Sequence, residues 1–215
     1  MKTKTLAILA GVGAPMILAG SSQAAFTGVK WTQKENSLGI LTYNIYATFD
    51  ERPGDFVFAV AGTPLNPLNV DVTGGTFFQA PFGTDQAPNP ALFIPFPETE
   101  FDTFVTIGKK ISTDNATGLA PGWPGFGASS LAFSDTGWFI TPDDPQGNPD
   151  ANNQVLLMQL STQDGTGFSG NILISGFSNG QDFQAFVPFN TVPAPGALAL
   201  LGAAGLLGAR RRRRR

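Results

Sequence analysis

The chain has 215 residues, 42% of them hydrophobic and 19 of them phenylalanine, and it contains neither cysteine nor histidine. This supplies apolar mass for one packed core, and it removes disulfide frameworks, thiol chemistry and the usual zinc and haem ligands. The formal net charge of −3 hides a segregation: Lys2, Lys4 and Arg210–Arg215 hold most of the 13 basic residues, so the middle sets five basic residues against all 16 acidic ones, a formal −11 that disfavours nucleic acid and anionic headgroups as partners.

Residues 1–24 begin with Lys2 and Lys4, continue through an apolar stretch from Leu6 to Ala19, and end on Ser21-Ser22-Gln23-Ala24. This is the pattern of a Sec-type signal peptide cleaved after Ala24, with Ala25 as the second choice. A buried N-terminal helix is the alternative, and the run is short for a membrane span. Export without cysteine means that stability must come from packing alone.

From Phe26 onward apolar and polar residues alternate with period two, broken every ten or so residues by Gly, Pro, Asn and Asp, which predicts β-structure. The clearest strand is Leu41 to Phe49, with Leu41, Tyr43, Ile45, Ala47 and Phe49 on a core face and Thr42, Asn44, Tyr46 and Thr48 on a solvent face. Asp55–Ala61, Leu68–Thr73, Thr76–Gln79, Asp102–Ile107, Leu131–Phe133, Trp138–Thr141, Val155–Leu160, Ser169–Phe177 and Phe183–Phe189 read as strands too. About ten short strands without an amphipathic helix predict an all-β domain over 25–190, an antiparallel β-sandwich of jelly-roll-like form. The Pro-rich segments 80–97 and 118–127 cannot pair in a central strand and are expected as long loops at the ends of the sandwich.

Four stretches carry candidate chemistry. Glu98, Glu100 and Asp102 alternate, which on an extended strand puts three carboxylates on one side at roughly 7 Å spacing. Such a pair suits a glycosidase acid and base; a solvated strand edge explains the same residues. Asn115-Ala116-Thr117 fits the N-glycosylation sequon. Trp123, with Phe126 and flanked by Pro121 and Pro124, is the candidate platform for stacking a sugar ring, the alternative being a plug over the core. Asp143, Asp144, Asn148, Asp150, Asn152 and Asn153 concentrate oxygen ligands around a glycine, as calcium requires. Their spacing is not that of an EF-hand, and an ordinary surface turn recruits the same residue types. Serine chemistry lacks both a histidine and a G-x-S-x-G elbow. Trp31 and Trp138 sit in strand patterns and are expected in or at the core.

The last residues, 191–215, have three parts in order. Val192-Pro193-Ala194-Pro195-Gly196 is a short proline motif, 196–209 is an unbroken apolar run, and Arg210, Arg211, Arg212, Arg213, Arg214 and Arg215 close the chain. The prolines mark the start of a helix; the run partitions into lipid, and the arginines stay on the cytoplasmic side. At about 21 Å as a helix, the run falls short of a hydrocarbon core of about 30 Å, which favours a temporary tether over a permanent anchor.

This tail, placed behind a signal peptide and an acidic β-domain, resembles the PEP-CTERM sorting signal of exosortase substrates, with Ala194 where the family name has glutamate. The resemblance implies export, transient anchoring in the cytoplasmic membrane, and processing at or near 192–196 by an exosortase-type sorting enzyme in bacteria that build exopolysaccharide. Phe101–Gly108 and Gln154–Asn179 also look like segments of uncharacterised secreted proteins with the same tail, a likeness that brings no activity with it. The expectation is a non-enzymatic cell-surface or extracellular-matrix protein without a cofactor. The alternative is a calcium-dependent carbohydrate-binding module built on Trp123 and the 143–153 loop, and a glycoside hydrolase comes third.

Overall fold

The computed structural model describes residues 26–34, 36–50 and 54–192. The expected leader 1–24 with Ala24 and Ala25, the motif residues Pro193–Gly196, the apolar run 196–209 and Arg210–Arg215 lie outside the described residues.

Among the described residues the protein is all-β, with no α-helix and three short 3-10 turns at Pro90–Leu92, Pro97–Phe101 and Pro145–Gly147. The strands are β1 (Phe26–Lys34), β2 (Leu41–Phe49), β3 (Phe56–Ala61), β4 (Leu68–Val72), β5 (Phe104–Val105), β6 (Gly118–Leu119), β7 (Ser130–Phe133), β8 (Gly137–Phe139), β9 (Gln154–Thr162), β10 (Phe168–Ser178) and β11 (Gln181–Asn190). All pairings between these strands are antiparallel. One sheet runs β1-β2-β9-β5. In the other, β11 lies along one edge of β10, while β3 and β4 lie end to end along its opposite edge. Beyond them β8 pairs with β3, β7 with β4, and β6 with β8. Both strand pairs are thus interrupted at the same level, by residues 62–67 and 134–136.

The two sheets share one apolar core. Tyr43, Ile45, Ala47, Val155, Leu157 and Leu160 from the first meet Val57, Val60, Leu68, Trp138, Ile172 and Ile174 from the second. The alternating pattern of these strands is what makes one continuous buried layer available from each sheet. The turn from β10 to β11 is Asn179-Gly180, with φ of 51° and 73°. This matches the right-handed twist of a tight hairpin, for which asparagine and glycine are the tolerant residues.

Strand β2 matches its expected bounds but departs from its expected environment. Its polar residues Thr42, Asn44 and Thr48 are buried, as is Tyr46. The polypeptide leading into β5 runs against that face, where Gln159 Nε2 donates to the carbonyls of Glu100 (3.0 Å) and Asp102 (2.9 Å). Neighbouring hydroxyls pair with one another, Thr42 with Ser161 at 2.9 Å and Thr48 with Thr27 at 2.8 Å. Burial of these hydroxyls is tolerated because they are partnered, whereas Asn44 Oδ1 is buried without a hydrogen-bond partner.

Other departures have similar causes. The expected strand at Thr76–Gln79 is irregular, and β1 and β6 form where no individual strand was marked. Trp31 lies on the edge strand β1 with 41% of its surface exposed, whereas Trp138 is fully buried. The 80–97 loop does not simply cap the sandwich: its first part runs along the outer edge of β5, with a parallel bridge between Gln86 and Val105 and a 2.9 Å bond from Val105 N–H to the Asp85 carbonyl. An otherwise open sheet edge is thereby covered.

The two long sides of the molecule are closed by different means. Where β1 and β11 adjoin, Phe183 stacks on Phe26 at 5.2 Å and meets Phe49 edge-on at 6.0 Å. On the opposite side polar bonds cross between the layers. Trp138 Nε1 donates to the Thr106 carbonyl at 3.1 Å, and Gln86 Nε2 to the Thr117 carbonyl at 2.6 Å.

Candidate functional site

This polar side is where the structure brings sequence-predicted residues together. Trp123 comes from the 118–127 loop following β6, and Asp85 from the segment covering β5. Trp123 Nε1 donates to Asp85 Oδ2 at 2.8 Å. The Trp123 ring also makes edge contacts with Phe126, Phe133 and Trp138, at 6.2, 5.5 and 5.9 Å between centroids. Its tight turn depends on Gly122 and Gly125, with φ of 84° and 78°, a conformation natural to glycine. Trp123 is half-buried and packs against the core beside Trp138. Phe126 is likewise half-buried and packs edge-on against Phe77 at 5.1 Å.

Asp102 lies in the same region. The expected strand carrying Glu98, Glu100 and Asp102 is corrected by the structure: residues Pro97–Phe101 form a 3-10 turn, and β5 starts only at Phe104. Pro97 has no N–H to give a ladder and is pre-set for a helical first turn, so the three carboxylates do not share a strand face. Glu100 is exposed and accepts from Lys34 Nζ at 2.8 Å, while that ammonium lies 4.4 Å from the centre of the Phe101 ring. Asp102, by contrast, is fully buried.

The environment of Asp102 is unusual for a carboxyl group. Its Oδ1 accepts from the Ala80 N–H at 2.8 Å, while Oδ2 is buried without a hydrogen-bond partner. Gly83 presses against it, and a Cβ there would overlap Oδ2. Burial pushes the Asp102 carboxyl up to about 7; backbone N–H groups of Ala80, Thr103 and Thr84 oppose the rise, and the charge of Asp85 adds to it. No cation is paired with it among the described residues.

Two carboxylates of the 143–153 loop bind the loop's own backbone. Asp144 Oδ1 caps the Pro145–Gly147 turn by accepting from Gln146 N–H at 3.0 Å. Asp150 Oδ1 accepts from the N–H groups of Asn152 (2.8 Å) and Gln154 (3.2 Å), forming an Asx turn. Asn148 donates its own N–H to the Pro145 carbonyl, Asp143 is exposed, and Asn153 takes a positive φ of 58°. Among the described residues no three Asp or Glu side chains converge as a metal would need.

The sequon is also taken up by the fold. Asn115 Nδ2 donates to Thr106 Oγ1 (3.0 Å) and the Ile111 carbonyl (3.2 Å), so both its amide hydrogens are engaged. Thr117 is buried and accepts from Ile107 N–H at 2.9 Å. Gln146 joins these groups, donating to the Ile107 carbonyl at 2.8 Å and accepting from Ala116 N–H at 2.9 Å.

At the far end of the domain only Val192 of the proline motif lies within the described residues. The residue before it, Thr191, is fully buried. Its N–H donates to the Phe168 carbonyl at 2.8 Å, and its Oγ1 accepts from Phe168 N–H at 2.8 Å. Burial raises the Tyr43 hydroxyl above its ordinary value, with the Thr191 side chain opposing the rise. Val192 N–H then donates to Asn190 Oδ1 at 2.9 Å. Neither Thr191 nor Asp85 and Gln146 stood out in the sequence, since each is a common polar residue in a loop or strand end.

A separate apolar hollow of about 350 Å³ opens at the shared strand interruption, lined by Gly62, Pro64, Ala120, Trp138 and Phe139 among others. None of the sequence-predicted site residues lines it. The chain matches no family model, no curated protein and no solved structure.

Proposed function

We propose that this is an exported, non-enzymatic cell-surface or extracellular-matrix protein, sorted through a PEP-CTERM-like tail. An exosortase-type enzyme processes it at or near Val192–Gly196, and the freed β-domain operates among exopolysaccharide. The reading rests on one observation: a proline motif, a short apolar run and six terminal arginines stand in fixed order behind an acidic domain. The fold is compatible with it, because the described part of the β-domain runs to Val192, the first residue of the motif, whose N–H is held by Asn190 Oδ1. Of all-β architectures, a jelly-roll-like sandwich is the form we assign, on the ground that the chain passes repeatedly between its two sheets.

Peptide mapping of both ends of the natural exported protein tests this. The expected N-terminus is Ala25 or Phe26, and no peptide containing Arg210–Arg215 should be recovered. An exported protein that retains Arg215 overturns the processing.

A further inference from the structure

The buried Asp102 carboxyl, the segment folded over it and the Trp123 contact form one connected unit. Residues 80–86 turn around Asp102: Ala80 N–H binds Oδ1, Gly83 N–H closes the turn on the Ala80 carbonyl at 2.9 Å, and Gly83 itself seals Oδ2. The same segment then pairs with Val105 and holds the indole of Trp123 through Asp85. We propose that opening of the 80–86 cover is coupled to loss of the Asp102 proton, so that the segment is a proton-controlled flap over the β5 edge and the Trp123 N–H.

The geometry gives the direction. With the cover closed, an ionised Asp102 would place a full charge in a site where one oxygen has no donor and no water can reach it, and such burial is costly without a counter-charge. With the cover open, the carboxylate is hydrated. The surrounding ionisable groups do not supply a counter-charge. On the cover itself the ionisable group is Asp85, of like sign; on the 97–103 segment they are Glu98 and Glu100; β5 and β9 contribute none. The nearby cation Lys34 is bound to Glu100.

The sign of the pH effect follows. The closed form keeps its proton up to a pH near 7, whereas an open, solvated aspartate releases it near its ordinary value of about 4. Between these limits the open form binds fewer protons, so opening becomes easier as pH rises, by about tenfold per unit and about a thousandfold in all. Above the upper limit both forms are ionised and the dependence ends.

Amide hydrogen exchange of residues 80–86 in the full-length chain, corrected for intrinsic rates, reads this directly, with a carbon-13 titration of the Asp102 carboxyl alongside. The parent should lose protection through that window and level off above it, while Asp102→Asn gives a flat profile. Asp85→Asn, which removes the like charge, should move the upper limit to lower pH. A flat profile in the parent, or the same slope in Asp102→Asn, overturns the proposal. If Asp102→Asn does not fold, the parent's carboxyl decides: titration near pH 4 with the cover still protected refutes the coupling.

Discussion

Gln146 shows how a single side chain can carry a junction. Its amide satisfies the Ala116 N–H and the Ile107 carbonyl, and it lies within 3.2 Å of Asn115 Oδ1 and Thr117 Oγ1. Truncation leaves buried donors and acceptors without partners, and unmade bonds of this kind cost more than made bonds gain. Gln146→Ala should therefore destabilise the protein by about 3 kcal/mol in a denaturant titration, whereas a change at the exposed Asn148 should be nearly silent. These two residues cannot be ranked from local pattern, because both stand in the same Asp, Asn and Pro-rich loop. Alternation groups Asp102 with Glu98 and Glu100, but its contacts are Ala80 and Gly83, distant along the chain and set by the fold, with the charge of Asp85 nearby.

Among the elements, strands with a strong apolar rhythm and a turn on each side were legible. β2, β9, β10 and β11 appear close to their expected bounds. β1 was not, because an edge strand with Lys30, Thr32, Gln33 and Lys34 carries little apolar signal, and its register breaks between Phe26 and Gly28. The 3-10 turn at Pro97–Phe101 was misread because alternating Glu and Thr have the period of a strand, and the proline at its first position outweighs that rhythm. Interrupted strands leave their mark in glycines. A Cβ on Gly137 would overlap the Val60 carbonyl and lie 2.8 Å from Ala61 Cα, both backbone positions unable to yield. Gly137→Ala should lower stability by roughly 2 kcal/mol through strain between β3 and β8, measurable as a shift in the denaturation midpoint.

At the scale of the molecule, period-two alternation from Phe26 onward points to β-structure, and the described residues are all-β with antiparallel sheets. The arrangement of those sheets depended on pairings between residues far apart, which no local pattern specifies. The loops were the least legible part. In the 143–153 segment Asp144 Oδ1 and Asp150 Oδ1, two of the oxygens that suggest calcium, accept from turn N–H groups, and on that ground added calcium should leave the melting temperature of the protein unchanged. A rise in melting temperature that is reversed by chelation would favour the alternative, the calcium-dependent binding module. Trp123 stands in the 118–127 loop, but its packing depends on β7 and β8 and on a partner 38 positions earlier in the chain.

The anchoring of Thr191 also bears on what a cut just beyond it would leave behind. An exopeptidase needs several residues of slack chain to thread into its cleft, and here the last residues before the motif are tied at both the backbone and the side chain to Phe168. Trimming from a new C-terminus should halt within a residue or two of Val192, giving the mature protein a single uniform end instead of a ragged series.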